Sequence, residues 1–181
     1  SPRFVSPAEA MALVAPIPPS VWRVGLFVDE PPARILEIAA QVCLDTIQLL
    51  YRNLTTEQDA LPLLRAAGYR VLLTRRLDSQ VDLDSLAPLQ SQVDHLLLDV
   101  LSPGALGGTG HQIEESVLMK LQQSSLLESS FLAGGLTPEN VHEKVRRFAP
   151  FGVDVASGVE LEPGIKSAEK MRRFIAETRK D

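Results

Sequence analysis

The chain has 181 residues, of which 45% are apolar and 23% charged, as is typical of one soluble globular domain with a sizeable core. Its formal net charge of −5 argues against a general nucleic-acid or membrane surface, because both require a basic face. An anionic ligand must therefore be bound at a local site.

The first predicted element is a helix that begins at Ser6-Pro7-Ala8-Glu9. Ser6 can cap this helix, Pro7 suits its first position, and Glu9 can reach back to complete a capping box. The helix is predicted to end before Pro16. The preceding residues, Ser1-Pro2-Arg3-Phe4, contain no methionine and do not resemble a signal peptide. An upstream segment is therefore expected.

Strands and helices are predicted to alternate over the rest of the chain. The strands are short and almost continuously apolar, at 24–28, 46–50, 71–74, 95–100, 131–133 and 153–156. Helices are predicted near 31–42, 61–67, 114–121, from 137 onwards, and at 167–178, with a weaker one before 95. Strands of this kind are typical of a parallel sheet that is buried on both faces.

The alternation predicts an α/β fold with a single domain over residues 1–181. Pattern alone allows two architectures, a doubly wound open sheet and a (β/α)₈ barrel. Both place ligands at the carboxyl ends of the strands. Chemically active residues are therefore expected directly after each strand.

Two glycine-bearing corners follow the last two predicted strands. Gly134-Gly135 come just before a helix start at Thr137, and their backbone N–H groups could cradle a phosphate. A tight strand-to-helix turn would equally explain them. Ser157-Gly158 follow the next strand, and in barrels the loops after the seventh and eighth strands commonly share one phosphate. The nearby Glu160 and Lys166 are compatible with ordinary solvated charges.

Asp99 is the candidate acid–base residue, because it follows the apolar run Leu96-Leu97-Leu98. Burial at the rim of a core can raise the pKa of such a carboxyl, although a turn or cap is the commoner role of an aspartate in this place. The loop Gly107-Gly108-Thr109-Gly110 lacks the Gly-Lys-Ser/Thr ending of a phosphate-binding Walker loop. It is interpreted as a loop that closes over a bound substrate.

Arg3 could bind a carboxylate or phosphate bidentately, although a solvated arginine is the commoner reading near a chain end. His95, His111 and His142 lack the spacing of a metal site, so no metal is predicted. Cys43 is the one cysteine, which favours a reducing cytoplasm, and it is predicted to be a small buried hydrophobe. No apolar run approaches the roughly 18 residues of a membrane span.

Several of these segments together resemble the phosphoribosylanthranilate isomerase family of tryptophan biosynthesis. In that family the Ser-Pro-Arg turn follows the second strand. The resemblance therefore implies a (β/α)₈ TIM barrel in which this chain supplies strands three to eight and lacks the first strand, first helix and second strand. The matching segments occur in family order, namely Ser1-Pro2-Arg3 with 6–10, 24–28, Gln48-Leu49, Leu97-Leu98-Asp99, 107–110, 132–141 and 157–166.

The resemblance implies an Amadori rearrangement of N-(5′-phosphoribosyl)anthranilate to 1-(o-carboxyphenylamino)-1-deoxyribulose 5-phosphate, without a metal or organic cofactor. Asp99 matches the general acid that protonates the ribose ring oxygen. Arg3 stands where the family holds the anthranilate carboxylate, and Gly107-Gly108 belong to the substrate loop. Gly134-Gly135 and Ser157-Gly158 correspond to the phosphate loops. The implied partner is a small phosphorylated substrate, and the protein is expected to be a monomer or homodimer.

The sequence departs from the family pattern on the catalytic side. The family's general base is a cysteine in a Lys-Ile-Cys-Gly segment, which this sequence lacks, and Cys43 does not match its position. Gln48-Leu49-Leu50-Tyr51 replaces Gln-Leu-His-Gly, and Leu72-Leu73-Thr74 replaces an Ile-Lys-Ala segment. Two alternatives remain open: a diverged, non-catalytic member that binds a phosphorylated ligand, and a related histidine-pathway aminoaldose isomerase.

Overall fold

The structure is a computed structural model that describes residues 1–51, 54–77, 83–100 and 115–180, without the side chains of 54–58. The chain forms two compact units. One comprises Phe4–Thr74 with Pro88–Leu96, and the other comprises Ser1–Arg3, Arg75–Ala87 and Leu97–Asp181. The expectation of a single domain stays a prediction.

The first unit begins with the predicted capped helix. The hydroxyl of Ser6 accepts a hydrogen bond from the backbone N–H of Glu9, and the Glu9 carboxylate accepts one from the Ser6 N–H at 2.9 Å. This confirms the capping box. The elements of this part of the chain are α1 (Pro7–Val14), β1 (Val24–Val28), α2 (Pro32–Val42), β2 (Thr46–Leu50), α3 (Leu54–Ala66) and β3 (Arg70–Leu77).

The second unit carries the remaining elements. It includes the end of β3, a 3₁₀ turn (Leu83–Ser85) and most of β4 (His95–Val100), with α4 (Ala87–Gln90) lying between that turn and β4. The later elements are α5 (Glu115–Gln123), a 3₁₀ turn (Leu126–Ser129), β5 (Phe131–Ala133), α6 (Val141–Phe148), β6 (Gly152–Val153), a 3₁₀ turn (Ser157–Val159), β7 (Glu160–Glu162), β8 (Ile165–Lys166) and α7 (Ala168–Thr178). No described helix has the length and apolar character needed to cross a membrane.

Strands β1 to β6 form one sheet in chain order. The pairs β1–β2, β2–β3, β4–β5 and β5–β6 are parallel. The central strands are buried on both faces, because consecutive side chains point to opposite faces and the runs Val71-Leu72-Leu73 in β3 and Leu96-Leu97-Leu98 in β4 are all buried. The predicted α/β fold with a parallel sheet is confirmed.

The end of the chain differs from the prediction in two ways. The last parallel strand was predicted at 153–156, but β6 covers only Gly152–Val153. Its partner β5 ends at Ala133, where Gly134 turns the chain away, so the ladder cannot continue. In addition, β7 and β8 form an antiparallel hairpin that the sequence analysis did not anticipate.

The prediction that Cys43 is buried is wrong. Cys43 is exposed and adopts a left-handed conformation, with φ of 58°. Its backbone N–H bonds to the carbonyl of Ala40 at 3.3 Å, which ends α2 and directs the side chain outwards. Cys43 also precedes β2, at the amino-terminal end of that strand.

Candidate functional site

The corner after β5 has two consecutive glycines with positive φ angles, and the first of them leaves no room for a side chain. Gly134 and Gly135 have φ angles of 97° and 60°, in the left-handed region that L side chains rarely adopt. A Cβ on Gly134 would overlap the carbonyl of Val100 and lie 3.0 Å from Oδ1 of Asp99. The glycine corner therefore lies directly beside the candidate acid.

A turn stabilised by Asn140 holds this corner in place. The Asn140 amide donates to the carbonyl of Gly135 at 3.0 Å, and its Oδ1 accepts the backbone N–H of Thr137 at 2.9 Å. Helix α6 begins at Val141 with Asn140 at its N-cap. The predicted helix start at Thr137 is wrong, because a turn over 137–140 comes first. The Thr137 hydroxyl does accept the backbone N–H of Glu139 at 3.2 Å, and it thereby caps this turn.

The corner after β6 packs against the first one. Ser157 is exposed and begins the 3₁₀ turn after Asp154, and Gly158 follows it. A Cβ on Gly158 would overlap the carbonyl oxygen of Leu136 and lie 3.1 Å from the Cα of Thr137. The structure thus brings together the two corners that the sequence analysis singled out.

Asp99 is the last residue but one of β4 and lies beside the corner after β5. Its side chain is 21% exposed, and Arg76 Nε lies 3.7 Å from Oδ2. Burial raises the pKa of Asp99 above its ordinary value, and the positive charge of Arg76 partly opposes that effect. A carboxyl in this state is protonated at a higher pH than an ordinary aspartate, as a general acid requires.

Asp154 is a second carboxyl that the sequence analysis did not select. Asp99 of β4 is paired with Ala133 of β5, and Val153 of β6 is paired with Leu132 of β5. Asp154 follows Val153, so it lies at the level of Ala133 and therefore of Asp99. Asp154 is exposed, but nearby protein atoms displace part of the water around its carboxyl, and this desolvation raises its pKa. The negative charge of Asp99 raises the pKa further. Asp154 falls inside the strand predicted at 153–156, so the signal that identified Asp99, a carboxyl directly after an apolar strand, did not single it out.

Arg3 forms a bidentate ion pair with Glu160. Its Nε and Nη2 donate to Oε1 and Oε2 at 2.8 and 2.6 Å, and Lys166 Nζ lies 2.9 Å from Oε1. The Glu160 side chain is only 4% exposed. Hydrogen bonds from Arg3 and Lys166 lower the pKa of Glu160 to about 2. The expectation that Glu160 is an ordinary solvated charge is therefore wrong.

The remaining sequence expectations concern the substrate loop and possible metal ligands. The predicted substrate loop with Gly107 and Gly108 lies outside the described residues. Within the described part of the chain, no group of three or more His, Cys, Asp or Glu residues could hold a metal ion. The candidate site therefore consists of two carboxyls, one ion-pair cluster and two glycine corners, all carried by the second unit.

The fold and this site define an α/β protein whose polar groups gather at the carboxyl ends of parallel strands. The family model for N-(5′-phosphoribosyl)anthranilate isomerase matches residues 1–177. The chain belongs to this family, whose members are isomerases.

Individual relatives agree with this membership. The N-(5′-phosphoribosyl)anthranilate isomerase of Chlorobium chlorochromatii is 38% identical over 178 residues, covering 97% of this chain and 80% of the relative. The crystal structure of phosphoribosyl anthranilate isomerase from Thermotoga maritima has a TM-score of 0.83 at 30% identity. The match covers 99% of this chain and 83% of the Thermotoga maritima chain. A structure of the isomerase in complex with reduced 1-(o-carboxyphenylamino)-1-deoxyribulose 5-phosphate has a TM-score of 0.78 at 28% identity, covering 99% and 82%.

Proposed function

We propose that this protein catalyses the rearrangement of N-(5′-phosphoribosyl)anthranilate to 1-(o-carboxyphenylamino)-1-deoxyribulose 5-phosphate. The observation that chiefly supports this is the close approach of Asp99 to Gly134. It places a protonatable carboxyl next to a glycine corner that can hold an anion. A sugar phosphate bound at the corner would therefore present its sugar to the acid.

The phosphate is proposed to bind between Gly134-Gly135 and Ser157-Gly158. Neither corner has a side chain at its glycines, so a ligand oxygen can approach the backbone N–H groups. The Ser157 hydroxyl is exposed and can donate one more hydrogen bond. Backbone donors of this kind suit a dianion in a chain whose net charge is −5.

Asp99 is proposed to be the general acid. Its proton passes to the ribose ring oxygen as the bond between that oxygen and C1′ breaks, which gives an open-chain protonated imine. A general base then removes the C2′ proton, and the enolamine tautomerises to the ketose. Repulsion between Asp99 and Asp154 disfavours ionisation of both carboxyls at once, so the pair tends to retain the proton that the first step needs.

The six-stranded sheet is proposed to correspond to strands three to eight of a (β/α)₈ barrel, with the general base supplied by a strand outside this sequence. The chain spans about four-fifths of the length of the curated relatives that it matches. In β1, at one end of the strand order, Val24, Leu26 and Val28 are exposed, and a further β/α unit would cover them. An intact mass of the native protein above 19.8 kDa is expected; a mass equal to that value would contradict this part of the proposal.

Turnover by the full-length protein tests the catalytic proposal. Purified protein is incubated with N-(5′-phosphoribosyl)anthranilate, and conversion to the ketose phosphate is followed by chromatography, with Asp99→Asn as the matched control. We expect conversion by the unaltered protein and conversion at least about a hundredfold slower by the variant. Tight binding of the product by a protein that gives no conversion would instead favour a diverged binding member. That alternative is motivated by Leu50, Tyr51 and Leu73, which stand where the sequence departs from the family pattern. Tyr51 is buried, and its hydroxyl donates to the Glu30 carbonyl at 2.6 Å.

A further inference from the structure

The guanidinium group of Arg3 has two edges that can bind a carboxylate, and Glu160 occupies one of them. The occupied edge consists of Nε–H and one N–H of Nη2. The second edge carries one N–H of Nη1 and the other N–H of Nη2. No described residue accepts a hydrogen bond from this second edge. Its geometry matches a carboxylate, because a guanidinium fork binds both oxygens of that group.

Glu160 itself is firmly held. Lys166 bonds to its Oε1 at 2.9 Å and also to the carbonyl of Ala156 at 2.8 Å. Lys170, on α7, donates to the backbone carbonyl of Glu160 at 2.7 Å. The side chain and the main chain of Glu160 are therefore both fixed, so Arg3 is paired with a rigid anion rather than with a mobile surface group.

The backbone around Arg3 is also held by the β7–β8 hairpin. Gly164 has a φ of 92°, and a Cβ on it would lie 2.6 Å from the carbonyl oxygen of Pro2. The turn of the hairpin is thus in close contact with the residue that precedes Arg3. Contact at the backbone and pairing at the side chain together leave the guanidinium little freedom to rotate.

The charges of this cluster favour an additional anion. Arg3 and Lys166 contribute two positive charges, and Glu160, with its pKa lowered to about 2, contributes one negative charge at neutral pH. The three side chains therefore carry one net positive charge. A bound carboxylate would neutralise it.

We propose that Glu160 is a positioning residue that orients the open edge of Arg3 to bind the aromatic carboxylate of the substrate. This inference rests on the proposed function, because it assumes an anthranilate-type ligand in the site. Glu160 does not touch the ligand. It sets which edge of the guanidinium is presented, and it thereby gives the site its preference for a ring that carries a carboxylate.

Binding measurements with two ligands test the proposal in the full-length protein. One ligand is the product, 1-(o-carboxyphenylamino)-1-deoxyribulose 5-phosphate, and the other is the same compound without the ring carboxylate. Glu160→Gln keeps the shape of the side chain but loses its charge. We expect it to weaken product binding about tenfold or more and to change binding of the analogue by less than about twofold. Glu162→Gln, in the same strand but exposed, is the matched control and should change neither.

A double-mutant cycle separates positioning from a general structural role. If Glu160 acts through Arg3, the double variant Arg3→Lys/Glu160→Gln should bind the product no more weakly than Arg3→Lys alone. Fully additive losses would overturn the proposal. So would an equal loss for both ligands, or a wild-type protein that does not distinguish them. Discrimination between the ligands without any turnover would refute the proposed function and leave the positioning role standing.

Nuclear magnetic resonance of the unaltered protein gives a second test that needs no variant. On addition of the product, the Nη resonances of Arg3 should shift while its Nε–H stays protected by the bond to Glu160. Loss of that protection when the product binds would mean that Arg3 leaves Glu160 to reach the ligand. This result would overturn the proposal.

Discussion

Gly158 and Leu136 approach so closely that a Cβ on the glycine would overlap the leucine carbonyl oxygen. This contact joins the corner after β6 to the corner after β5. The two corners therefore form one continuous backbone surface before any ligand binds. A preformed surface of this kind binds a phosphate without the entropy cost of ordering two separate loops.

Gly158→Ala should disrupt the joint corner. The new Cβ must displace the Leu136 carbonyl, which we expect to cost about 1–3 kcal/mol of the free energy of unfolding and to weaken inorganic phosphate binding at least about tenfold. Thermal unfolding and isothermal titration calorimetry measure the two effects. Gly68→Ala is the control for phosphate affinity: a Cβ on Gly68 would meet nothing within 4 Å, so alanine there changes the backbone at its φ of 85° without touching the corners. Unchanged phosphate affinity in Gly158→Ala would argue against a shared site.

Asp99→Asn should remove the general acid while keeping the shape of the site. We expect kcat to fall by about 10²–10⁴-fold, the usual contribution of general acid–base catalysis. The Kd for the product should change little, since Asp99 lies beside the proposed phosphate corner rather than in it. Steady-state kinetics and product titration check both values. A variant that retains the wild-type kcat would exclude Asp99 as the acid.

Arg76→Gln should alter the pH dependence of the reaction. Asp99 donates its proton only while protonated, so activity that depends on it falls as the pH rises through its raised pKa. Arg76 lowers that pKa through its positive charge. Its removal should therefore shift the descending limb of the kcat profile to higher pH. Arg172→Gln, on the exposed face of α7, should leave the profile unchanged; a shift to lower pH in Arg76→Gln would contradict the assignment.

Asp45 is expected to stabilise the first unit. Its carboxylate accepts hydrogen bonds from Arg23 and Thr46. Burial alone would raise its pKa, but these bonds bring it below the ordinary value of 3.8. We expect Asp45→Asn to lower the free energy of unfolding by about 1–3 kcal/mol at pH 7. Because a lowered pKa stabilises the fold only above the unfolded value, the loss should shrink as the pH falls below 3.8.

Urea unfolding at several pH values measures this effect of Asp45. Asp59→Asn is a suitable control, since Asp59 is an exposed aspartate on α3. An Asp45→Asn variant whose loss of stability is the same at pH 7 and well below 3.8 would show that the carboxylate charge does not stabilise the fold.

The sequence predicted those features that depend on neighbouring residues. The capping box at Ser6 and Glu9 needs only three residues of separation, and the positions of β1, β2, β4 and β5 follow from short apolar runs. The glycine corner at Gly134-Gly135 was also identified from local pattern, and its positive φ angles explain why glycine is needed there. Local chemistry alone was sufficient for these elements.

Features that depend on distant residues were not predicted. Glu160 is buried because Arg3, 157 positions earlier, and Lys166 both pair with it. A single sequence gives no indication of that distance in space. The pKa of Asp154 is likewise raised by the surrounding protein atoms, which keep water away, and further by the charge of Asp99 from another strand. Cys43 was misjudged because hydrophobicity favours burial, whereas its left-handed backbone at the end of α2 turns the side chain outwards.

A crystal structure of the full-length protein with the reduced product bound would test the central claim most directly. We predict that the phosphate lies between Gly135 and Ser157, that the sugar faces Asp99, and that the ring carboxylate is paired with the open edge of Arg3. A bound ligand whose phosphate lies elsewhere, with the two glycine corners empty, would contradict the proposed function.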